Sequence, residues 1–370
     1  MTSWLRPRKW LLCVLCLHLL SACKVNAGEG GLSGLGNVDD LQAEAERIAQ
    51  EAGDLEICDG QTLEQLLEAD ALSDECRQQL LSFLPESQST FEGRLIAPGG
   101  VRVAADGSLQ VLLQGADASG LSLDADALLS AEVTLVTQGG EVVLQPGDYQ
   151  WGFEADLDSE LMSIAVVNDY SASMTDADLR DVAELQGEIF MCLPSVHETE
   201  VSRFSEMVST VLPFASDDQA VAVALELDEG FERGTTALFD AVGSAAEALD
   251  ARSRPVKMLL LSSDGRENAS QTFEQADVLA ALDDAGIFVV VFGALLADVD
   301  QLKTLAGDRG VFFYTREFKS LFDATSALRE ALKGLGELRI GADAIAGASV
   351  EAVRIRLDAE LALELQVTAP

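Results

Sequence analysis

The sequence predicts an α/β fold: a doubly wound, mainly parallel sheet flanked by helices, joined to an all-β sandwich module and preceded by a small N-terminal helical segment. Three observations carry this. Residues 160–334 alternate strongly apolar strands with helix-length segments. Residues 91–155 alternate short apolar runs with turn signals. The C-terminal stretch, residues 342–370, keeps a period of two beyond the usual strand length. A chain of 370 residues is long enough for two or three domains with cores of their own.

The N-terminus concerns export rather than fold. Arg6, Arg8 and Lys9 precede an apolar run from Trp10 to Leu20 broken only by His18. That run is shorter than the roughly 20 residues a spanning helix needs, so residues 1–22 read as a signal peptide. The signal ends in Leu20-Ser21-Ala22-Cys23, which resembles the bacterial lipobox. The resemblance implies a lipoprotein of the cell envelope, acylated at Cys23 and held by several chains in the membrane. Lys24 replaces the Asp that resembles an inner-membrane retention signal, which favours the outer membrane.

Residues 23–37 form a Gly-rich tether, and residues 38–84 a helical segment in which Thr62 with Gln65 reads as a capping box and Ser73 as a second cap. Cys58 and Cys76 lie in that segment. Export permits a disulfide, which would join two short elements unable to form a core alone, and two free thiols are the other reading. Cys192 follows an apolar helix and is expected as a buried small side chain. Residues 85–90 read as a polar linker.

The balance of 63 Asp and Glu against 24 Lys and Arg, a formal charge of −39, excludes nucleic acid, because binding by counterion release needs clustered cations. Acidity alone names no partner.

In residues 91–155, apolar alternations such as Val133 to Thr137 lie between turn signals including Asp106-Gly107, Gly139-Gly140 and Pro146-Gly147. In residues 160–334, strands are expected at 161–168, 198–204, 257–262, 287–292 and 310–314. The helices between them are expected at 176–191, 217–227, 237–251, 272–285, 299–306 and 319–332, with Thr175 and Asp178 capping the first. Strands this apolar are buried on both faces, and ligand sites of such sheets lie at the carboxyl ends of the strands. In the tail, Val353, Ile355, Leu357, Ala359, Leu361, Leu363, Leu365 and Val367 alternate with mostly polar residues. One long strand, or a pair bent near Asp358, completes the β module, so that the α/β domain is inserted into a sandwich.

At the strand ends stand Asp169, Ser171 and Ser173, then Thr236 in Gly234-Thr235-Thr236-Ala237-Leu238-Phe239-Asp240-Ala241, then Asp264 after Ser262-Ser263. This oxygen-only set suits a hard cation, Mg²⁺ above all, with Ca²⁺ or Mn²⁺ as alternatives. The three elements in order resemble the von Willebrand factor type A domain family, whose metal-ion-dependent adhesion site has D-x-S-x-S, a Thr and an Asp. Ala172 and Thr235 replace glycines frequent in the family. The resemblance implies a non-catalytic Mg²⁺ held by Asp169, Ser171, Ser173, Thr236 and Asp264, with a coordination position open to an acidic side chain of a protein or peptide partner.

Enzyme chemistry fares worse. A phosphoryl-transferring hydrolase of the haloacid dehalogenase type wants a second Asp where Ser171 stands. His197, the one histidine outside the signal, is expected at the surface and leaves zinc and a Ser-His-Asp triad without ligands. Asn268-Ala269-Ser270 fits a glycosylation sequon by chance. The reading is a lipid-anchored adhesion protein; a structural or assembly subunit of an envelope complex is the alternative.

Overall fold

The computed structural model describes residues 56–58, 61–62, 87–91, 95–115, 122–153, 161–193, 197–226, 230–264, 267–294, 297–308, 310–357 and 362–367. The chain forms two compact units, residues 1–86 and 87–370. In the first, β1 (Glu56–Cys58) pairs with β2 (Gln61–Thr62) in an antiparallel hairpin. Thr62 therefore lies in a strand, where a helix cap was expected. The expected lipidation at Cys23, the expected tether and Cys76 of the expected Cys58–Cys76 pairing fall on residues outside those described.

The second unit begins with β3 (Ser87–Ser89), β4 (Leu95–Ile96), β5 (Val101–Val103), β6 (Leu109–Gly115), α1 (Ala125–Leu129), β7 (Glu132–Thr137), β8 (Gly140–Val143) and β9 (Tyr149–Phe153). The α/β part follows: β10 (Met162–Asp169), α2 (Asp176–Phe190), β11 (His197–Phe204), β12 (Val208–Ala215), α3 (Asp218–Leu225), α4 (Leu238–Asp250) and β13 (Val256–Ser263). It continues through α5 (Gln275–Asp284), β14 (Phe288–Ala294), α6 (Val299–Ala306), β15 (Val311–Thr315), α7 (Leu321–Ala324) and α8 (Ser326–Lys333). β16 (Leu335–Ile340), β17 (Val350–Arg356) and β18 (Ala362–Gln366) close the unit.

The main sheet has the order β12-β11-β10-β13-β14-β15-β3. Its five inner strands are parallel, and each edge strand is antiparallel to its neighbour. Every residue of β10 and β14 is buried, which requires a covering layer on both faces and accounts for the flanking helices. Glu198 anchors the amino ends of the central strands, accepting from the Ser163 hydroxyl at 2.7 Å and from Nε and Nη2 of Arg252 at 2.8 Å each.

Both edges depart from the sequence reading. The sequence reading places no strand between Phe204 and Asp217, and the stretch contains Pro213. β12 tolerates that proline by lying at the sheet edge, where a missing ladder amide costs little, and its register on β11 is shifted twice. β3 occupies the stretch read as a linker. It pairs with Phe313–Thr315, and Thr90 continues the seam, donating its N–H to the Phe312 carbonyl and accepting the Phe312 N–H through its hydroxyl, each at 2.9 Å. Two side-chain expectations are also corrected. His197 opens β11, is 7% exposed and lies 5.8 Å from the Phe190 ring, whereas Cys192, in the turn beyond α2, is only half-buried.

The other two sheets have the orders β4-β6-β16-β9, with β5 on β6, and β18-β17-β7-β8. Leu109, Val111, Leu113, Leu338 and Ile340 of the first share one core with Val133, Leu135, Val353 and Ile355 of the second. Strands from both sides of the α/β part therefore interleave in each sheet. The tail forms a hairpin rather than one strand, with Val353 opposite Leu365.

β6 is covered on its second face as well. Leu112 and Gln114 are fully buried, and Gln114 Nε2 donates to the Leu332 carbonyl at 3.0 Å. Here α8 runs directly into β16 through Gly334. A Cβ on Gly334 would lie 2.4 Å from the Gly115 carbonyl oxygen and 2.7 Å from the Leu123 nitrogen. Gly334→Ala should therefore lower stability by about 1–3 kcal/mol, the usual cost of overpacking, read in a denaturant titration. Truncating the chain before Ala342 strips β17 from β7. Hydrogen exchange across Glu132–Thr137 should rise; unchanged protection there would contradict this topology.

Candidate metal site

Parallel pairing of β10 with β13 places Asn168 opposite Ser262. The chains beyond that pair deliver Asp169 and Ser263–Asp264 to one edge of the sheet. Asp169 is 1% exposed. Its Oδ2 accepts from the Ser263 hydroxyl at 2.6 Å and its Oδ1 from the Ser171 N–H at 2.8 Å. Burial pushes the Asp169 carboxyl up from the ordinary range, and these hydrogen bonds oppose the shift without cancelling it.

The two serine hydroxyls lie 3.0 Å apart. Asp264 Oδ1 accepts from Ser173 at 2.9 Å and lies 3.5 Å from Ser171 Oγ. Asp169, Ser171, Ser173 and Asp264 are thus linked through hydroxyl and carboxylate contacts. Thr236, 4% exposed, stands on the neighbouring loop, which is tied to the first by the Ala172 N–H donating to the Gly234 carbonyl at 2.9 Å. Two buried carboxylates with hydroxyls around them fit a hard cation. No group of three or more His, Cys, Asp or Glu gathers among the described residues; the donors brought together here are the carboxylates of Asp169 and Asp264 and the hydroxyls of Ser171 and Ser173.

The supporting shell contains residues that the motif does not name. Below the site, Asn168 and Gln186 exchange amide hydrogen bonds, and Gln186 also donates to Ser262 at 3.1 Å, pinning α2 to the sheet. Tyr170 is packed between Arg203 and the Phe231 ring, each 5.1 Å away. The sequon asparagine is structural: Asn268 Oδ1 accepts the Thr236 N–H at 2.8 Å. The amides of Gln271, Phe273 and Thr272 bind the Asp240 carboxylate at 2.9 Å each. Burial alone would raise that acid, but the three amides outweigh it and hold it below its usual range. Ser263 was legible as a hydroxyl one residue before Asp264; Arg203 carried no local signal, and the sequon at Asn268 did not point to the site.

A doubly wound sheet with acidic and hydroxyl side chains at its carboxyl edge defines an α/β domain with an oxygen-rich edge. Residues 163–327 match the family model for the von Willebrand factor type A domain, and this part of the chain is such a domain. Among solved structures, a conserved hypothetical protein BatB from Bacteroides thetaiotaomicron is 17% identical, with 47% of this chain and 100% of that chain covered and a TM-score of 0.38. A von Willebrand factor type A protein from Catenulispora acidiphila is 16% identical over 68% of this chain and 50% of that one, at a TM-score of 0.39. Proximal thread matrix protein 1 from the mussel byssus is 18% identical over 50% and 49%, also at 0.39, so this chain spans about half the length of the last two. No curated protein matches the chain.

The raised Asp169 carboxyl has a testable sign. Between the ordinary aspartate range and its folded value, the folded chain holds a proton that the unfolded chain has lost, so stability falls as pH rises through that window. In EDTA, Asp169→Asn should melt above wild type at neutral pH, with the difference shrinking on acidification. Calorimetry across pH measures it, and a constant difference would contradict the assignment. Asp240→Ala should cost about 1–3 kcal/mol by stripping three amides of a charged acceptor.

Proposed function

We propose that the type A domain docks a protein or peptide ligand through a divalent cation, Mg²⁺ first and Ca²⁺ or Mn²⁺ as alternatives, held by Asp169, Ser171, Ser173, Thr236 and Asp264. When bound, the cation supplies a positive centre for an acidic side chain of the ligand. The observation that carries the reading is the convergence of two buried carboxylates and two serine hydroxyls from two strand ends, beside the loop of Thr236. Type A domains generally serve protein–protein interaction, which supports docking over catalysis, and no enzymatic step belongs to the proposal. The chain's own residues keep the donors aligned: Ser263 orients Asp169, and Asn268 holds the Thr236 backbone.

The second part of the proposal is attachment. Among the described residues no helix is long and apolar enough to cross a membrane. A lipid on Cys23 would hold the chain at the cell envelope, in the outer membrane, with the Gly-rich tether giving reach.

Asp169→Ala should abolish Mg²⁺-dependent ligand capture from solubilised membranes while its melting temperature in EDTA stays near that of wild type. A complex that survives both EDTA and Asp169→Ala would instead identify a constitutive assembly subunit. Metabolic labelling with a fatty acid should mark wild type and not Cys23→Ser; equal incorporation would exclude the anchor.

A further inference from the structure

We infer that Arg233 is a positioning residue for this site, locking the loop of Ser171 and Ser173 to the loop of Thr236; the inference rests on the cation reading above. Arg233 stands three residues before Thr236. Its Nη1 donates to the Met174 carbonyl at 2.7 Å, and its Nη2 forms an ion pair with Asp176 in the first turn of α2. Both acceptors lie immediately beyond Ser173. Met174 is 1% exposed, and its N–H returns to the Ser171 carbonyl at 3.1 Å, so the peptide that Arg233 grips belongs to the turn presenting both serine hydroxyls.

The downstream side of Thr236 is held separately. Its N–H is bound by Asn268, its carbonyl accepts from the Asn268 and Ala269 amides at 3.0 and 3.2 Å, and the Ala237 N–H donates to Ser205 at 2.8 Å. On the upstream side, the Ala172-to-Gly234 backbone bond, the Tyr170–Phe231 ring contact, the Ser205 hydroxyl donating to the Glu232 carbonyl at 3.0 Å and Arg233 hold the segment. Of these, Arg233 alone reaches past Ser173. Neutral hydroxyls bind a cation weakly and contribute only when held in place. A planar guanidinium suits this task because one side chain satisfies a carbonyl and a carboxylate together, whereas a lysine ammonium is a compact point charge without that rigid fork.

The test is Mg²⁺ titration by calorimetry of the full chain in detergent, for wild type, Arg233→Ala and Arg233→Lys, with melting in EDTA and hydrogen exchange in parallel. Arg233→Ala should weaken Mg²⁺ binding by about 10- to 100-fold, the usual loss when the support of a metal ligand is removed, with Arg233→Lys between it and wild type. In EDTA its melting temperature should stay near wild type, while exchange rises at residues 171–175 and 234–237 and not within β10. Equal Mg²⁺ affinity in wild type and Arg233→Ala would overturn the inference and leave the cation reading intact. A large fall in melting temperature in EDTA with no selective loss of Mg²⁺ affinity would also overturn it, as a merely structural role. A wild type that takes up no Mg²⁺ would overturn the cation reading and this inference together.

Discussion

The register between β10 and β13 is the constraint on which the site depends. Asn168 faces Ser262, so the next residues of each chain bring Asp169 and Ser263 together and Asp264 to the serine turn. Side chains alternate along a strand, and a slip of one residue would take Ser263 out of line with Asp169 and break the hydrogen bond between them. That register is enforced from below by side chains that never approach a ligand. Gln186 grips Asn168 and Ser262 at once, and Glu198 joins Ser163 to Arg252 at the other end. Buried polar groups of this kind are costly unless fully partnered, and here the partnering selects one alignment of strands.

The same economy shapes the loops. Main-chain amides that a turn leaves exposed are taken up by carboxylates: that of Ser171 by Asp169, that of Thr175 by Asp178, those of residues 271–273 by Asp240, and those of Ala269 and Ser270 by Glu267. Part of the chain's large acidic excess therefore serves as backbone acceptor. This reduces what its net charge says about partners.

Much of the fold was legible because the physics was local. Buried parallel strands need continuous apolar residues, helices announce their caps, and Asp169, Ser171 and Ser173 alternate as residues leaving a strand must. What escaped depended on distant pairing. The polar Ser87–Ser89 becomes a strand only because β15 offers an edge. Pro213 disguises β12, and the burial of His197 follows from the helix packed beside it. The supporting residues of the site were hidden for a related reason: an arginine or asparagine acquires a positioning role only from the loop that folding brings opposite. In the N-terminal segment the described strands at Gln61–Thr62 show that a capping pattern can be overridden by hairpin pairing.

The interleaving of β6 with β16 has a consequence for how the molecule is made. Arg102 and Glu337, which bond across β5 and β16, are 235 residues apart in sequence. During synthesis β6, β7 and β9 emerge long before β16 and β17, their later partners, with an apolar face uncovered and a strand edge open beside β6. The type A domain, whose strands pair largely within one contiguous stretch, can close first. The sandwich must wait for β16 and β17, which is the kind of long-range pairing that folds slowly and exposes a chain to aggregation. A chain cut before β16 would carry an α/β domain attached to an unfinished sheet.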